Sequence, residues 1–161
     1  ENTLPKTISK KDFDYIQSAC VEFRDVMVKE LMEKFNIDCV GKCLNNTNIK
    51  VNDKLEFIKD YNFVISFENS STAGYSTEKL TDAFVSNSIP IYFGDPNVSQ
   101  DFYEDSFVNY HSFNDKEEIH DRLHDLMSND DLKLEILHNK KVKNKDLFNG
   151  QLFLKFIQKY L

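Results

Sequence analysis

Apolar residues along this chain fall into two alternating rhythms. Phe13 to Gln17, Ile37 to Val40, Phe63 to Phe67, Ile89 to Phe93 and Phe107 to Tyr110 are short, β-prone runs bounded by polar loops. Runs of that kind suit strands, and the nearly continuous FVISF at residues 63–67 suits one buried on both faces. Between them the apolar positions recur at helical spacing: Val21, Met27, Val28, Leu31 and Phe35, then Leu55 and Ile58, then Leu80, Ala83, Phe84 and Val85. Ser18 stands where it would cap the first of these helices, residues 45–53 are an Asn-rich loop, and Gly94-Asp95-Pro96 reads as a turn leading to a short helical turn at Phe102. From Asn114 onward the pattern is helical, with Ile119, Leu123 and Leu126 on one face, then Leu132, Ile136 and Leu137. Residues 148–161 predict a last helix carrying Leu152, Phe153, Phe156, Ile157 and Tyr160. Residues 1–11 are polar and read as an N-terminal arm, with residues 12–161 as the folded domain. Strands alternating with helices predict an α/β fold, a doubly wound and mainly parallel Rossmann-like sheet with a helical C-terminal tail.

Composition narrows the function classes. At 161 residues with 40% hydrophobic and 13% aromatic content, the chain is long enough for one globular domain. The formal net charge of −7 and the lack of a basic stripe argue against nucleic acid or an anionic membrane surface as a partner. No run reaches membrane-spanning length, and the N-terminus shows no signal-peptide pattern. Cys20, Cys39 and Cys43 are an odd set without metal-ligand spacing. Three thiols in a reducing compartment is the simplest reading, with a disulfide between two of them as the alternative. Four histidines, at 111, 120, 124 and 138, form no triad or metal pattern and read as surface or half-buried side chains.

The chemistry gathers where the Phe63 strand gives way to a helix. Glu68-Asn69-Ser70-Ser71-Thr72-Ala73-Gly74-Tyr75-Ser76 is a polar loop, and Thr77-Glu78-Lys79 opens the helix behind it. Crevices beyond the carboxyl ends of strands are where open α/β sheets bind ligands, and a helix N-terminus there favours an anion. Glu78 at a helix start is stabilised by the dipole in any case, but its carboxylate can also accept the two hydroxyls of a ribose. Lys79 is either a solvated helix lysine or a point charge for phosphate. Arg24, early in the first helix, is either a surface arginine or a fork for a diphosphate. If its strand is a parallel neighbour of the Phe63 strand, Arg24 and Lys79 converge on one sheet edge. Asn69 and Tyr75 are equally open to structural readings, as turn former and packing aromatic.

FEN at residues 67–69, a loop with Gly and Tyr, TEKL at 77–80 and IPIY-G-P at 89–96, in this order and spacing, resemble the donor-binding signature of the α1,3/4-fucosyltransferases. VKEL at 28–31 behind Arg24, then IDCVGKCLNN at 37–46, also follow that family's pattern, as do PNV at 96–98 and SFVN at 106–109. The likeness runs over roughly residues 13 to 126, with one departure: the family's Ser-Asn pair after the first strand is Ser18-Ala19 here. The resemblance implies the GDP-fucose-binding half of a two-domain GT-B glycosyltransferase that inverts configuration and transfers fucose to N-acetylglucosamine-containing glycans. It implies Arg24 and Lys79 as the cations that stabilise the departing diphosphate, and Arg24, Glu68, Asn69, Tyr75, Thr77, Glu78 and Lys79 as donor-binding residues, with Glu68 more a loop-orienting residue than a direct contact. It implies no cofactor, no metal, and a general base in an N-terminal acceptor-binding domain that this chain lacks. A non-catalytic nucleotide-binding domain and a related transferase using another nucleotide sugar are the alternatives. The expected location is the cytoplasm or the membrane periphery for a microbial or viral parent, and the Golgi lumen for an animal or plant one.

Overall fold

The computed structural model describes residues 10–143. The helix predicted over 148–161 and the end of the basic run at 140–145 lie outside the described residues. Five parallel strands form one sheet in the order β2-β1-β3-β4-β5, with β1 Lys11–Gln17, β2 Ile37–Gly41, β3 Tyr61–Phe67, β4 Ile89–Phe93 and β5 Val108–Asn109. The helices are α1 Glu22–Met32, α2 Lys54–Ile58, α3 Glu78–Val85, α4 Lys116–Ser128 and α5 Asp130–His138. This is the α/β, parallel arrangement that the alternating rhythms predict.

Every residue of β3 is buried, as its unbroken apolar run requires of a strand covered on both faces. Alternation sorts its side chains. Phe63, Ile65 and Phe67 enter the main core with Phe13, Tyr15, Val28, Leu31, Leu123 and Leu126. Val64 packs on the other face with Ile58 and Ala83. The register puts Phe13 beside Phe63 and Asp14 beside Val64 on one side, and Phe63 beside Ile89 on the other.

Strand order decides where the functional crevice lies. The connection from β1 through α1 leads to β2 on one side of β1, while β3 pairs with its other side. The gap between the carboxyl ends of β1 and β3 is therefore the topological switch point of the sheet, where doubly wound folds hold their ligands.

Three local readings are corrected. Ser18 does not cap α1: the chain stays extended through Val21, the N-cap, which makes no side-chain cap bond. The reason is in the turn itself, where Cys20 is bonded to Cys43 and the Ala19 carbonyl accepts from Arg24. The three-thiol reading fails for Cys20 and Cys43, which form a disulfide with Cα atoms 5.5 Å apart, while Cys39 is free and buried. Gly41 makes that approach possible. Its φ is +101°, and a Cβ there would lie 2.0 Å from the Gln17 carbonyl oxygen, which instead accepts the Lys42 N–H at 2.9 Å. The last β segment is shorter than predicted, because the chain turns at once where the Asn109 side chain accepts the His111 N–H.

Candidate functional site: a cationic crevice at the sheet's switch point

Arg24 is fully buried, so the surface reading is excluded. From the first turn of α1 its guanidinium crosses to the β3 side. One terminal nitrogen donates to the Phe67 carbonyl at 3.2 Å and to Asn69 Oδ1 at 2.6 Å, and the other donates to the Ala19 carbonyl at 2.7 Å. No carboxylate pairs with it among the described residues, and its Nε has no acceptor. A buried cation compensated only by neutral oxygens is costly unless an anion joins it.

Glu68 organises the other side. Its carboxylate is buried, with one oxygen accepting the Thr77 N–H at 2.7 Å and the other accepting the Thr77 hydroxyl at 2.7 Å and Lys79 Nζ at 3.3 Å. Thr77 also lies 3.0 Å from Lys79 Nζ. The tight fit extends to Gly94, where a Cβ would meet Glu68 Cγ at 2.4 Å. Glu68 thus has the loop-orienting position, with both oxygens engaged within the chain, and Thr77 is the N-cap of α3. Ser71 donates to the Gly94 carbonyl and Ser76 meets the Tyr92 hydroxyl, so the loop is tied down at both ends. Its tip is open: Tyr75 is 39% exposed and has no side-chain partner among the described residues.

Glu78 opens α3 with its side chain 62% exposed. Partial burial would raise its pKa, but its own backbone N–H and the Lys79 and Lys54 ammoniums outweigh that, and the carboxyl sits below its ordinary value. The helix N-terminus acts in the same direction. Beside it, a groove of about 680 Å³ opens beyond the ends of β1 and β2, walled by Ile16, Val40, Ile49, Val51 and Lys54 among others. Its size is that of a small-molecule site.

The structure therefore brings Arg24, Asn69 and the Glu68–Lys79 pair around one loop, with Glu78 at the same helix start, and leaves Tyr75 at the loop's free tip. Sequence reasoning missed Lys54, whose Nζ lies 2.7 Å from Asp82 and 3.7 Å from Glu78. Nothing around Asp53-Lys54-Leu55 marks it, because its partners belong to a different helix. Among the described residues the three-residue set with metal-ligand proximity is Cys20, Asp25 and Cys43, and two of its members are consumed by the disulfide.

A parallel sheet with helices packed against it and a cationic crevice at its switch point is a Rossmann-like α/β domain in its class. The family is more specific: residues 9–149 match the model of glycosyltransferase family 10 (fucosyltransferase), C-terminal part, and the chain belongs to that family. Its relatives include the α-(1,3)-fucosyltransferase FucT of Helicobacter pylori, 38% identical over 106 residues, covering 66% of this chain and 22% of that protein. GDP-fucose protein O-fucosyltransferase 3 of Xenopus laevis is 36% identical over 110 residues, covering 61% and 23%. A crystal structure of α1,3-fucosyltransferase with GDP-fucose superposes with a TM-score of 0.78 at 32% identity, over 81% of this chain and 39% of that one. The chain thus spans about a fifth of the length of these curated relatives. No helix among the described residues is long and apolar enough to cross a membrane.

Proposed function

We propose that this chain binds GDP-fucose and serves as the donor-binding part of an inverting α1,3-fucosyltransferase acting on N-acetylglucosamine-containing glycans. The observation that carries the reading is the buried Arg24 guanidinium, without a carboxylate partner among the described residues, beneath the switch-point crevice. A diphosphate supplies the missing anion. Lys79, held at the crevice by Glu68 and Thr77, and the N–H groups opening α3 supply the second positive flank. Glu78 accepts the ribose hydroxyls, and the neighbouring groove takes the base. Asn69 and Tyr75 complete the donor contacts from the loop.

In the transfer, the bond between fucose C1 and the β-phosphate oxygen breaks as the acceptor oxygen attacks C1 from the opposite face. The electron pair leaves with the GDP, whose growing charge is what Arg24 and Lys79 stabilise. The acceptor proton goes to a general base in an N-terminal acceptor-binding domain outside this chain, and no cofactor or metal enters the scheme. Support for the donor comes from the structural neighbour, a fucosyltransferase with GDP-fucose.

Calorimetric titration tests the reading. GDP and GDP-fucose should bind the chain, guanosine should bind at least tenfold more weakly because it lacks the diphosphate, and UDP-sugars should not compete. Robust fucose transfer to an N-acetyllactosamine acceptor by the isolated chain would place the base within it and overturn the division of labour. Equal affinity for guanosine and GDP would overturn the phosphate site. Assaying N-acetyllactosamine beside a polypeptide acceptor, with an acceptor-binding domain supplied, distinguishes glycan from protein fucosylation, since one relative is named a protein O-fucosyltransferase.

A further inference from the structure

We infer that Lys54 is a positioning residue for the donor's ribose, acting through Glu78; the inference rests on the ribose role proposed for that carboxylate. Lys54 is the first residue of α2, yet its ammonium reaches across to α3. There it lies 2.7 Å from Asp82 Oδ2 and 3.7 Å from Glu78 Oε1, while Lys79 Nζ stands 3.9 Å from the same Glu78 oxygen. The Glu78 carboxylate thus sits between two ammoniums that are themselves anchored, Lys54 by Asp82 and Lys79 by Glu68 and Thr77. Anchoring matters because Glu78 is the most exposed member of the group, with 62% of its side chain open against 36% for Lys54 and 20% for both Asp82 and Lys79. An exposed glutamate samples many rotamers, and fixing one before the ligand arrives removes that entropy cost from binding.

Lys54 answers a second need. Glu78 and Asp82 are four apart on one helix face, where like charges repel, and a cation touching both makes the pair tolerable. It also lines the groove assigned above to the base, so one ammonium links that groove to the Glu78 carboxylate.

A purely structural lysine, stapling α2 to α3, would show the same distances. The two roles separate when GDP is compared with 2′,3′-dideoxy-GDP, which carries the same base and diphosphate but no diol. For the 161-residue chain, GDP should bind about tenfold tighter than the dideoxy analogue. Glu78→Gln should erase that preference. Lys54→Met should shrink it roughly two- to fivefold, as expected for a partly exposed ion pair, by costing GDP more than dideoxy-GDP, and the double variant should show no smaller preference than Glu78→Gln alone. Lys54→Arg, which keeps the charge, should restore the preference. If the methionine variant melts early, Lys54→Gln is the variant to compare. Equal losses for both nucleotides would make Lys54 a staple and overturn the inference, as would an undiminished preference in Lys54→Met and Lys54→Gln while Glu78→Gln abolishes it. Loss of no preference in Glu78→Gln would overturn the ribose reading itself, and the inference with it.

Discussion

The two strand-to-helix junctions that flank the switch point are built on opposite plans. After β1 the chain takes a short, tightly bound turn: Cys20 is bonded to Cys43, the Ala19 carbonyl is used, and the cation it presents, Arg24, is wholly inside the protein. After β3 it makes a long loop, tied at both ends but free at its tip, and the cation there, Lys79, keeps 20% of its side chain in solvent. One junction offers a fixed guanidinium fork, the other a point charge on a stem steered by Glu68. Under the proposed function, the difference would suit one diphosphate gripped from two sides: a rigid wall would define where it sits, and an adjustable lysine would follow charge as it builds up on the leaving group.

The sharpest way to break this comparison is to remove each cation in turn. Arg24→Ala should cost the fold roughly 2–4 kcal/mol, since a fully buried side chain vanishes and the Phe67 and Ala19 carbonyls lose their donor. Lys79→Ala should cost the fold about 1 kcal/mol, because the Glu68 carboxylate keeps both Thr77 bonds. For GDP the two losses should be alike, about 1.5–3 kcal/mol each, the range of a charge-assisted contact, and coupled in the double variant. Urea denaturation and GDP titration of the same three proteins measure both quantities. Equal stability costs would mean the junctions are not different in kind.

Next in size is the disulfide. Reducing Cys20–Cys43, or replacing both by Ser, reopens a segment with a sequence separation of 23, worth about 3 kcal/mol in the chain-entropy account before any local relaxation. The effect should fall on the β1 junction. Phosphate-dependent affinity should drop through Arg24, while the preference for GDP over its dideoxy analogue, which depends on the β3 junction, should stay. A reduced protein with an unchanged urea midpoint would show that the turn is held by its hydrogen bonds alone.

The same contrast explains what was legible in the sequence. The β3 junction could be read almost whole, because its determinants are local: a continuous apolar run, a polar loop with Gly74, and an acidic residue opening an amphipathic helix. The β1 junction could be read only in outline. That Arg24 would be buried depends on acceptors 43 and 45 positions away, at Phe67 and Asn69, and no periodicity encodes them. Cys20 and Cys43 could not be paired for the same reason, and the expected Ser18 cap was displaced by that pairing. Lys54 was invisible because a lysine after an Asp cap looks like any helix start; its meaning comes from Glu78 and Asp82 on α3. Family resemblance put Arg24 among the expected donor-binding residues, but did not imply that it would be enclosed.

The smallest expected effect sharpens the comparison inside the sheet. Asp14 on β1 and Val64 on β3 are register partners, so neighbouring positions hold a carboxyl in one strand and an apolar side chain in the other. Asp14 is fully buried, and neither of its oxygens has a hydrogen-bond partner among the described residues. Burial raises its pKa well above the ordinary carboxylate value, against the pull of the Lys54 charge. A carboxyl whose folded pKa is raised favours the folded state fully only when protonated, below the unfolded pKa of about 4. As the pH climbs from there through the folded pKa, that contribution is lost. Asp14→Asn, neutral at every pH, should therefore stabilise the chain at pH 7 by about 1 kcal/mol, the low end for an unsatisfied buried polar group, and the gain should fade as the pH falls toward 4. Val64→Ala, with no titrating group, should lose the same stability at both pH values. Paired melting curves at pH 7 and pH 4 decide it: the lack of any extra gain in Asp14→Asn at pH 7 over pH 4 would mean that the carboxyl is neutral throughout this range, or is compensated by Lys54 at neutral pH.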